Sequence, residues 1–250
     1  MNAVSIKNLS GGYEEHKVLE NINLDLFANR FTAITGPNGC GKSTLLKHII
    51  RELIPTCGSI SVFGTDIKDL SQIELARIVS FVSQKSDFAS DFTVEDIVSL
   101  GRYCHFDEKS SSEVIKKSME LVGIENLKSR KLGTLSGGEY QLAMIARALC
   151  QDTRILLLDE ITNNLDPRHE LQILRLLRHL ADSEGKTVIA VMHNLSDVLS
   201  FCDETVILKD GRLFACGKTE ETLTESNIES VFEIKARIIR EGDLRLLTVY

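Results

Sequence analysis

The sequence predicts an α/β fold with a parallel sheet, and three observations support this prediction. Residues 155–158 form a continuous apolar run, which is typical of a strand buried on both faces. A helix follows at Asp166-Pro167, because Asp is a favoured N-cap and Pro is a favoured first helical residue. Residues 187–192 form a second apolar run. The order of strand, helix and strand favours a sheet that is covered by helices.

The N-terminal part predicts two further features. Residues 4–30 are predicted as strands and turns of an antiparallel β-subdomain, since Ile22, Leu24 and Leu26 alternate with polar neighbours. Residues 31–35 then form a short strand that leads into a glycine-rich loop. The helix expected after this loop has apolar residues at the spacing of a buried stripe. These residues are Leu45, Leu46, Ile49, Ile50 and Leu53.

The middle and the end of the chain depart from this strand–helix pattern. Residues 86–150 are polar, which predicts a helical subdomain inserted into a domain that spans residues 1–220. Residues 221–250 form a tail in which Ile234, Ala236 and Ile238 alternate with charged residues. Because a turn is expected near residue 242, the tail is predicted to be a β-hairpin packed on the core.

Composition and charge argue against several classes of protein. There are 29 Lys and Arg residues against 36 Asp and Glu, a net charge of −7, so we expect no nucleic-acid partner. No apolar run approaches the ~18 residues that span a bilayer, and the N-terminus does not resemble a signal peptide. Any membrane role is therefore expected to be peripheral. The six scattered cysteines are typical of a reducing compartment.

A phosphate-binding loop is predicted after the strand at 31–35. The pattern G-x-x-x-x-G-K-[ST] is complete over residues 36–43, between a predicted strand and a predicted helix. Glycines allow backbone N–H groups to surround phosphates, and the helix N-terminus adds its dipole. Lys42 is expected to reach the β- and γ-phosphates, and Ser43 to bind Mg²⁺. The residues assigned to nucleotide binding are Gly36, Pro37, Asn38, Gly39, Cys40, Gly41, Lys42, Ser43 and Thr44.

Two acidic residues directly follow the apolar run at 155–158. Asp159 is expected to accept hydrogen bonds from water bound to Mg²⁺ and so to hold the metal ion. Glu160 is expected to polarise the attacking water and is the first candidate catalytic residue. The alternative is a pair of exposed acids at a strand end, which the nearby phosphate loop disfavours.

Cys40 gives a hypothesis about reactivity. A thiol near a helix N-terminus tends to have a lowered pKa. Alkylation of Cys40 is then expected to block turnover, and the nucleotide to protect it. The alternative is that Cys40 is only a small, tolerated loop residue.

Residues 135–139 (Leu-Ser-Gly-Gly-Glu) form a second glycine motif, which indicates a protein family. With this motif the chain resembles the ATP-binding cassette (ABC) ATPases over residues 1 to about 220, and the motifs occur in the family's order. Tyr13 matches the aromatic residue that stacks on adenine, Gln84 the Q-loop glutamine and His193 the switch histidine. Residues 164–166 match the D-loop. The resemblance implies a P-loop NTPase core of the RecA-like type, with ATP and Mg²⁺ as ligands.

The resemblance also implies a role for each motif. Gln84 joins the Mg²⁺ shell and senses the γ-phosphate, and His193 donates a hydrogen bond to that phosphate; both are expected to be catalytic with Glu160. Asp166 is expected at the nucleotide as part of the D-loop. The signature residues cap the γ-phosphate bound by the other copy, so two ATP molecules join a head-to-tail homodimer. These signature residues are Ser136, Gly137, Gly138 and Glu139.

The chain departs from the family's pattern at four positions. Ile161 stands where the usual residue after the catalytic Glu is Pro, and Asn163-Asn164 replaces Ser-Ala before the D-loop Leu-Asp. Glu139 replaces the commoner Gln at the end of the signature. None of these changes removes a catalytic group, so they bear on strand-exit geometry and dimer contacts.

Residues 92–98 and 100–106 resemble a stretch found in the ATPases of importers for iron–siderophore complexes, haem and vitamin B12, although Cys104 replaces an expected Pro. This resemblance implies integral-membrane permease partners, an extracytoplasmic substrate-binding protein and a peripheral position on the cytoplasmic face of the membrane. A soluble ABC ATPase without a permease, linked to iron–sulfur assembly or nucleic acid, is the alternative. The acidic charge and residues 101–105 disfavour it, and the lack of a fused membrane segment disfavours half of an exporter.

Overall fold

The computed structural model describes residues 1–14, 16–83, 90–105, 111–163, 165–241 and 244–250. An antiparallel sheet forms the N-terminal part of the protein. Its strands are β1 (Asn2–Tyr13), β2 (His16–Phe27), β4 (Cys57–Val62) and β5 (Thr65–Asp66), in the order β2-β1-β4-β5. Ile22, Leu24 and Leu26 of β2 are buried and alternate with exposed residues, which confirms the predicted half-buried strand.

A second sheet forms the centre of the molecule. Its strands are β3 (Phe31–Thr35), β6 (Val79–Val82), β7 (Ile155–Asp159), β8 (Thr187–Val191), β9 (Glu204–Lys209) and β10 (Arg212–Lys218), in the order β10-β9-β3-β8-β7-β6. All neighbours pair in parallel except β10, which pairs antiparallel with β9. Every residue of β3, β7 and β8 is buried. The predicted α/β class with a parallel sheet is therefore confirmed.

The two faces of this central sheet are buried against different parts of the chain. Side chains alternate between faces along each strand, so Leu156 and Leu158 join the core formed with the helical region. Ile155 and Leu157 join the other core, which contains the N-terminal sheet and the helix after the phosphate loop. The central sheet is thus covered on both sides, which is the arrangement that a continuous apolar strand predicts.

The helix after the phosphate loop, α1 (Lys42–Ile49), is shorter than the apolar stripe predicts. Leu45, Leu46 and Ile49 are fully buried, but Arg51 adopts a left-handed conformation with φ 61°. The N–H of Glu52 then donates to the Lys47 carbonyl at 2.9 Å, which ends the helix in the manner of a C-cap. The prediction that Leu53 continues the helical stripe was wrong for this reason.

Helices dominate the described part of the middle stretch. They include α3 (Val94–Ser99), a 3₁₀ segment (Leu100–His105), α4 (Ser111–Val122) and α5 (Gly137–Cys150), and the short helix α2 (Gln72–Ala76) lies before this stretch. Leu142, Ile145 and Ala146 of α5 are buried in the core that covers one face of the central sheet, while Leu149 is partly buried there. Helix α5 therefore joins the helical region to the central sheet.

Four more helices and a pair of strands complete the described part of the chain. They are α6 (Pro167–Asp182), α7 (Leu195–Phe201), α8 (Thr219–Thr222), α9 (Glu225–Phe232), β11 (Ala236–Glu241) and β12 (Leu244–Val249). The Asp166 carboxylate accepts from two N–H groups of the first turn of α6, with Pro167 as its first residue, as predicted. Strands β11 and β12 pair antiparallel, and Ile238 and Leu247 pack against the core.

We expect Leu157→Ala to lower the free energy of unfolding by about 2–5 kcal/mol, because the side chain is fully buried and the cavity that remains cannot collapse. Urea unfolding followed by circular dichroism measures the change. Leu171→Ala is the matched control, since Leu171 is 38% exposed on α6 and should change stability far less. Equal losses in the two variants would contradict the assignment of Leu157 to the core.

Candidate nucleotide-binding site

The glycine loop lies between β3 and α1, where its backbone is tightly packed on one side and open on the other. Gly36 has φ +147°, and a Cβ atom there would lie 2.1 Å from the Leu208 carbonyl oxygen. Gly39 has φ +79°, and nothing lies within 4 Å of the position of its missing Cβ. The loop therefore needs glycine at Gly36 for packing, whereas at Gly39 it leaves space in which a ligand can approach the backbone.

Lys42, the first residue of α1, is buried at the base of this loop. Its Nζ donates hydrogen bonds to the carbonyl oxygens of Gly36 at 2.8 Å and Pro37 at 2.9 Å. A buried ammonium needs such acceptors, because its desolvation is otherwise unfavourable. The two carbonyls hold the positive charge at the loop, where a phosphate can replace them as the acceptor.

Ser43 and Asp159 join α1 to the end of β7. The Ser43 hydroxyl donates to Asp159 Oδ1 at 2.8 Å, and Asp159 is buried. Burial raises the pKa of Asp159 above its usual value, and the hydrogen bond from Ser43 opposes this rise. The pair provides two oxygen donors, which are the type of ligand that Mg²⁺ prefers. Among the described residues, no group of three or more His, Cys, Asp or Glu side chains could hold a metal ion.

Glu160 follows Asp159 and lies between two other polar side chains. It has a left-handed backbone with φ 54°. Its Oε2 accepts a hydrogen bond from Asn163 Nδ2 at 2.7 Å, and its Oε1 lies 2.7 Å from His193 Nε2. The latter is an ion-pair distance without hydrogen-bond alignment, so the buried Nε2 has no hydrogen-bond partner among the described residues. Asn163 and His193 thus contact the two oxygens of the Glu160 carboxylate.

These residues line two adjoining clefts. One has a volume of about 440 Å³ and lies over the glycine loop; its lining residues are Tyr13, Val18, Asn38, Gly39, Gly41, Lys42, Ser43, Thr44 and Glu160. The other has about 480 Å³; its lining residues are Gly36, Pro37, Asn38, His193, Lys209, Asp210, Val231, Phe232 and Glu233. Most of the predicted phosphate-binding residues thus meet at the carboxyl ends of β3, β7 and β8. The volumes lie in the range of ordinary ligand pockets.

Tyr13 stands at the edge of the first cleft, at the end of β1. Its side chain is 40% exposed, and Lys47 Nζ of α1 lies 5.4 Å from the ring centroid, a cation–π distance. Lys47 also forms an ion pair with Glu52 at 3.0 Å. Lys47 was not predicted from the sequence, because a lysine on a helix has no distinctive spacing.

The predicted signature residues do not line either cleft. Ser136 is the N-cap of α5: its hydroxyl accepts from the Glu139 N–H, and Glu139 Oε2 accepts from the Ser136 N–H at 2.8 Å. The hydrogen bond with the Ser136 backbone lowers the pKa of Glu139. Gly137 leaves open space, since nothing lies within 4 Å of its missing Cβ. The signature thus forms a capped, outward-facing helix N-terminus.

Gly138 is packed against α6, the helix that follows the D-loop. A Cβ at Gly138 would lie 2.4 Å from Cγ of His169 on α6. His169 Nδ1 in turn lies 2.5 Å from Asp166 Oδ2, and this contact lowers the pKa of Asp166. Asp166 lines neither cleft; it caps α6 and orients His169. His169 was absent from the sequence prediction, because only the folded chain brings α6 to the start of α5.

Cys40 corrects one expectation. Its thiol is only 4% exposed, and burial raises the pKa of the thiol, which outweighs the opposing effect of Lys42. The thiol points beneath Gly36, since a Cβ at Gly36 would lie 2.9 Å from Cys40 Sγ. The hypothesis of a lowered pKa was therefore wrong, because it counted the helix N-terminus and omitted the desolvation.

Two predicted residues, Gln84 and Asn164, lie outside the described residues. The importer-like segment (residues 92–98 and 100–106) is described up to residue 105, and most residues of its 3₁₀ part are buried. Arg102 Nη1 donates to the Cys150 carbonyl at 3.1 Å, and His105 Nε2 lies 2.9 Å from the Gln151 carbonyl. Three large apolar side chains of this segment are exposed: Tyr103 at 81%, Leu100 at 44% and Phe92 at 42%. These contacts fix the 3₁₀ segment to the C-terminal end of α5.

Comparisons with known proteins agree with this geometry. The family model described as "ABC transporter" matches residues 19–163. The chain belongs to the ABC transporter family. It is an ATPase of that family, and its P-loop NTPase fold is that of the ATP-binding cassettes.

Among the described residues, no helix has the length and apolar character needed to cross a membrane.

Three similar proteins illustrate the relationship. The ferric enterobactin transport ATP-binding protein FepC of Escherichia coli (strain K12) is 36% identical over 238 residues, which cover 93% of this chain and 88% of FepC. A structure described as a metal-chelate type ABC transporter in an inward-facing conformation has a TM-score of 0.86 and 28% identity, covering 100% of this chain and 97% of that one. The ATP-binding cassette MJ0796, as a dimer bound to ADP and Pi after hydrolysis, has a TM-score of 0.78 and 30% identity, covering 86% and 98%.

We expect Gly138→Ala to lower the free energy of unfolding by about 1–3 kcal/mol, because its Cβ displaces the His169 ring from Asp166. Gly137→Ala is the matched control: its Cβ meets open space, so the variant should be neutral or more stable by up to about 1 kcal/mol. Urea unfolding measures both. The double variant Gly138→Ala/His169→Ala should recover part of the loss, and a failure to recover would argue against the contact.

We expect iodoacetamide at pH 8 to modify the exposed Cys57 and Cys216 well before Cys40, with ATPase activity retained. The raised pKa of Cys40 leaves less thiolate at this pH than an ordinary thiol has, and the fraction grows only as the pH rises further. Peptide mass spectrometry over time measures each site. In urea Cys40 should react as fast as Cys57; equal rates in the folded protein would contradict its burial.

Proposed function

We propose that this ATPase is the nucleotide-binding subunit of an importer, and that ATP-driven dimerisation powers uptake of a ferric siderophore, haem or cobalamin through a separate permease. The observation that carries the site assignment is the meeting of Lys42, Ser43, Asp159, Glu160 and His193 at one edge of the parallel sheet. The similarity to a ferric enterobactin transport protein supports the substrate class.

The phosphates of ATP fit the glycine loop. Backbone N–H groups around Gly39 and the N-terminus of α1 attract the anionic chain. Lys42 Nζ exchanges its two carbonyl acceptors for phosphate oxygens. Tyr13 is exposed at the same cleft and offers a ring face to adenine. The triphosphate and the base can therefore occupy the 440 Å³ cleft together.

The Ser43 hydroxyl and the Asp159 carboxylate fit Mg²⁺, because both are oxygen donors and they already contact one another. Gln84 is assigned to the same ion by its family motif. Bound Mg²⁺ would neutralise charge that develops on the phosphates during transfer. Asp159 is held in place for this role by its burial at the end of β7.

Glu160 and His193 are assigned to the hydrolytic step. A water oxygen attacks the γ-phosphorus, the bond to the β–γ bridging oxygen breaks, and ADP leaves. Glu160 orients this water and accepts its proton. His193 Nε2, which has no hydrogen-bond partner among the described residues, donates to a γ-phosphate oxygen.

The signature residues act on the nucleotide of a second copy. Ser136–Glu139 line neither cleft of their own chain, yet they form a capped helix N-terminus, which attracts phosphate. The site in one chain is thus incomplete, and a head-to-tail dimer completes it. A similar cassette, MJ0796, is dimeric with ADP and Pi bound, which supports this arrangement.

Permease binding is assigned to the segment at 92–105. The buried contacts of Arg102 and His105 fix its backbone, and they leave Tyr103, Leu100 and Phe92 exposed for a partner. The subunit would then sit peripherally on the cytoplasmic face of the membrane, and an extracytoplasmic binding protein would deliver the substrate.

A pull-down tests the importer assignment. Tagged Glu160→Gln is incubated with ATP and detergent-solubilised native membranes, and the captured proteins are identified by mass spectrometry. A polytopic membrane protein at about one-to-one supports the importer and points to its substrate. Lys42→Ala serves as the control, because it should bind ATP weakly and so should not form the ATP-dependent dimer. Recovery of soluble proteins alone would favour the class without a permease.

We expect Glu160→Gln to bind ATP, form a stable dimer and hydrolyse about 10²–10⁴-fold more slowly, because the water loses its proton acceptor. Lys42→Ala should instead weaken ATP binding about tenfold or more, because the variant loses the buried ammonium group that donates to the phosphates. Phosphate release, calorimetric titration and gel filtration separate the two effects. Turnover by Glu160→Gln at the wild-type rate would remove Glu160 from its role.

A further inference from the structure

Described residues contact both oxygens of the Glu160 carboxylate, and the contact from Asn163 is an aligned hydrogen bond. Asn163 Nδ2 donates to Oε2 at 2.7 Å. His193 Nε2 lies at the same distance from Oε1 without alignment. Because a hydrogen bond is directional, the donation from Asn163 restricts the plane in which the carboxylate can lie.

The backbone of this segment is fixed as well. The Asn163 N–H donates to the Glu160 carbonyl at 3.3 Å, which closes a turn between these two residues. Ile161, inside the turn, is 2% exposed and belongs to the core on the helical face of the sheet. Glu160 itself has a left-handed backbone, a conformation that persists only where its surroundings enforce it. The Asn163 side chain thus extends from a fixed turn.

An amide suits this position for a chemical reason. An ionised carboxylate has about four lone-pair sites and can accept several hydrogen bonds. Donation from Asn163 to Oε2 occupies one of them. Aspartate at 163 would have the same shape, but it would bring a second carboxylate to hydrogen-bond distance without a proton to share.

We infer that Asn163 is a positioning residue for the hydrolytic reaction: its amide holds the Glu160 carboxylate in the orientation that receives the attacking water. The inference rests on the proposed role of Glu160. It assigns a function to one of the positions at which this chain departs from the family's usual sequence, and it explains why an amide at Asn163 is compatible with turnover.

The experiment compares Asn163→Asp, which keeps the shape and removes the donor, with Asn163→Ala. We expect kcat for Mg-ATP to fall about 10- to 100-fold in both, because small misplacements of a reacting group have effects of this size. KM, the ATP dissociation constant and the melting temperature should change little for Asn163→Ala, which adds no charge. Asn227→Ala is the matched control, because Asn227 Nδ2 also donates a hydrogen bond, to the Thr222 carbonyl at 2.8 Å, away from both clefts.

A second arm separates this inference from the role of Glu160. In a Glu160→Gln background, Asn163→Ala should slow single-turnover hydrolysis less than twofold further, since the group that it positions is absent. Independent, multiplicative losses would overturn the inference. So would an unchanged kcat in Asn163→Asp alongside an inactive Glu160→Gln. If Glu160→Gln itself turns over normally, the proposed role of Glu160 fails, and that result is recognised before any Asn163 variant is compared. Should Asn163→Ala fold poorly, Asn163→Leu decides, because it keeps the shape of the side chain, removes the donor and adds no charge.

Discussion

The parallel pairing of β3, β8 and β7 is the constraint on which the rest of the site depends. Parallel neighbours present their carboxyl ends at one edge, so Thr35, Asp159 and Val191 end side by side although they lie far apart in the chain. The glycine loop, Glu160 and His193 each follow directly from one of these ends. The Ser43–Asp159 hydrogen bond then joins the loop helix α1 to the end of β7. A strand out of register would separate all of these groups.

Burial at this edge sets the electrostatics. Asp159 is desolvated and its pKa is raised, while Lys42 is equally buried but satisfied by two loop carbonyls. The edge is therefore prepared for a ligand that brings negative charge together with a cation, and it is unfavourable for an isolated charge of either sign. Cys40 lies under the loop, in the apolar core. Burial, more than closeness to a helix N-terminus, determines the direction in which the pKa of each of these two groups shifts.

The pattern of apolar residues predicted the fold better than it predicted contacts. Continuous runs identified the buried strands, and the glycine pattern located the phosphate loop, because both signals are local. The end of α1 was missed, since Arg51 has no sequence feature that demands a left-handed backbone. The contact between Gly138 and His169 joins helices that are remote in sequence. Asn163 was noted only as a departure from the family pattern, and its contact with Glu160 required the geometry of the turn.

The importer-like segment shows what a sequence resemblance can and cannot mean. Gly101, Arg102 and His105 are buried: a Cβ at Gly101 would lie 2.2 Å from the Arg147 carbonyl, and the other two bond to carbonyls at the end of α5. Cys104 is also buried, so its replacement of the expected Pro alters packing and not a contact surface. The resemblance in this segment therefore reports mainly how the 3₁₀ turn is held on α5. Under the proposed permease assignment, the side chains that a partner can contact are those of Phe92, Leu100 and Tyr103, because they are exposed.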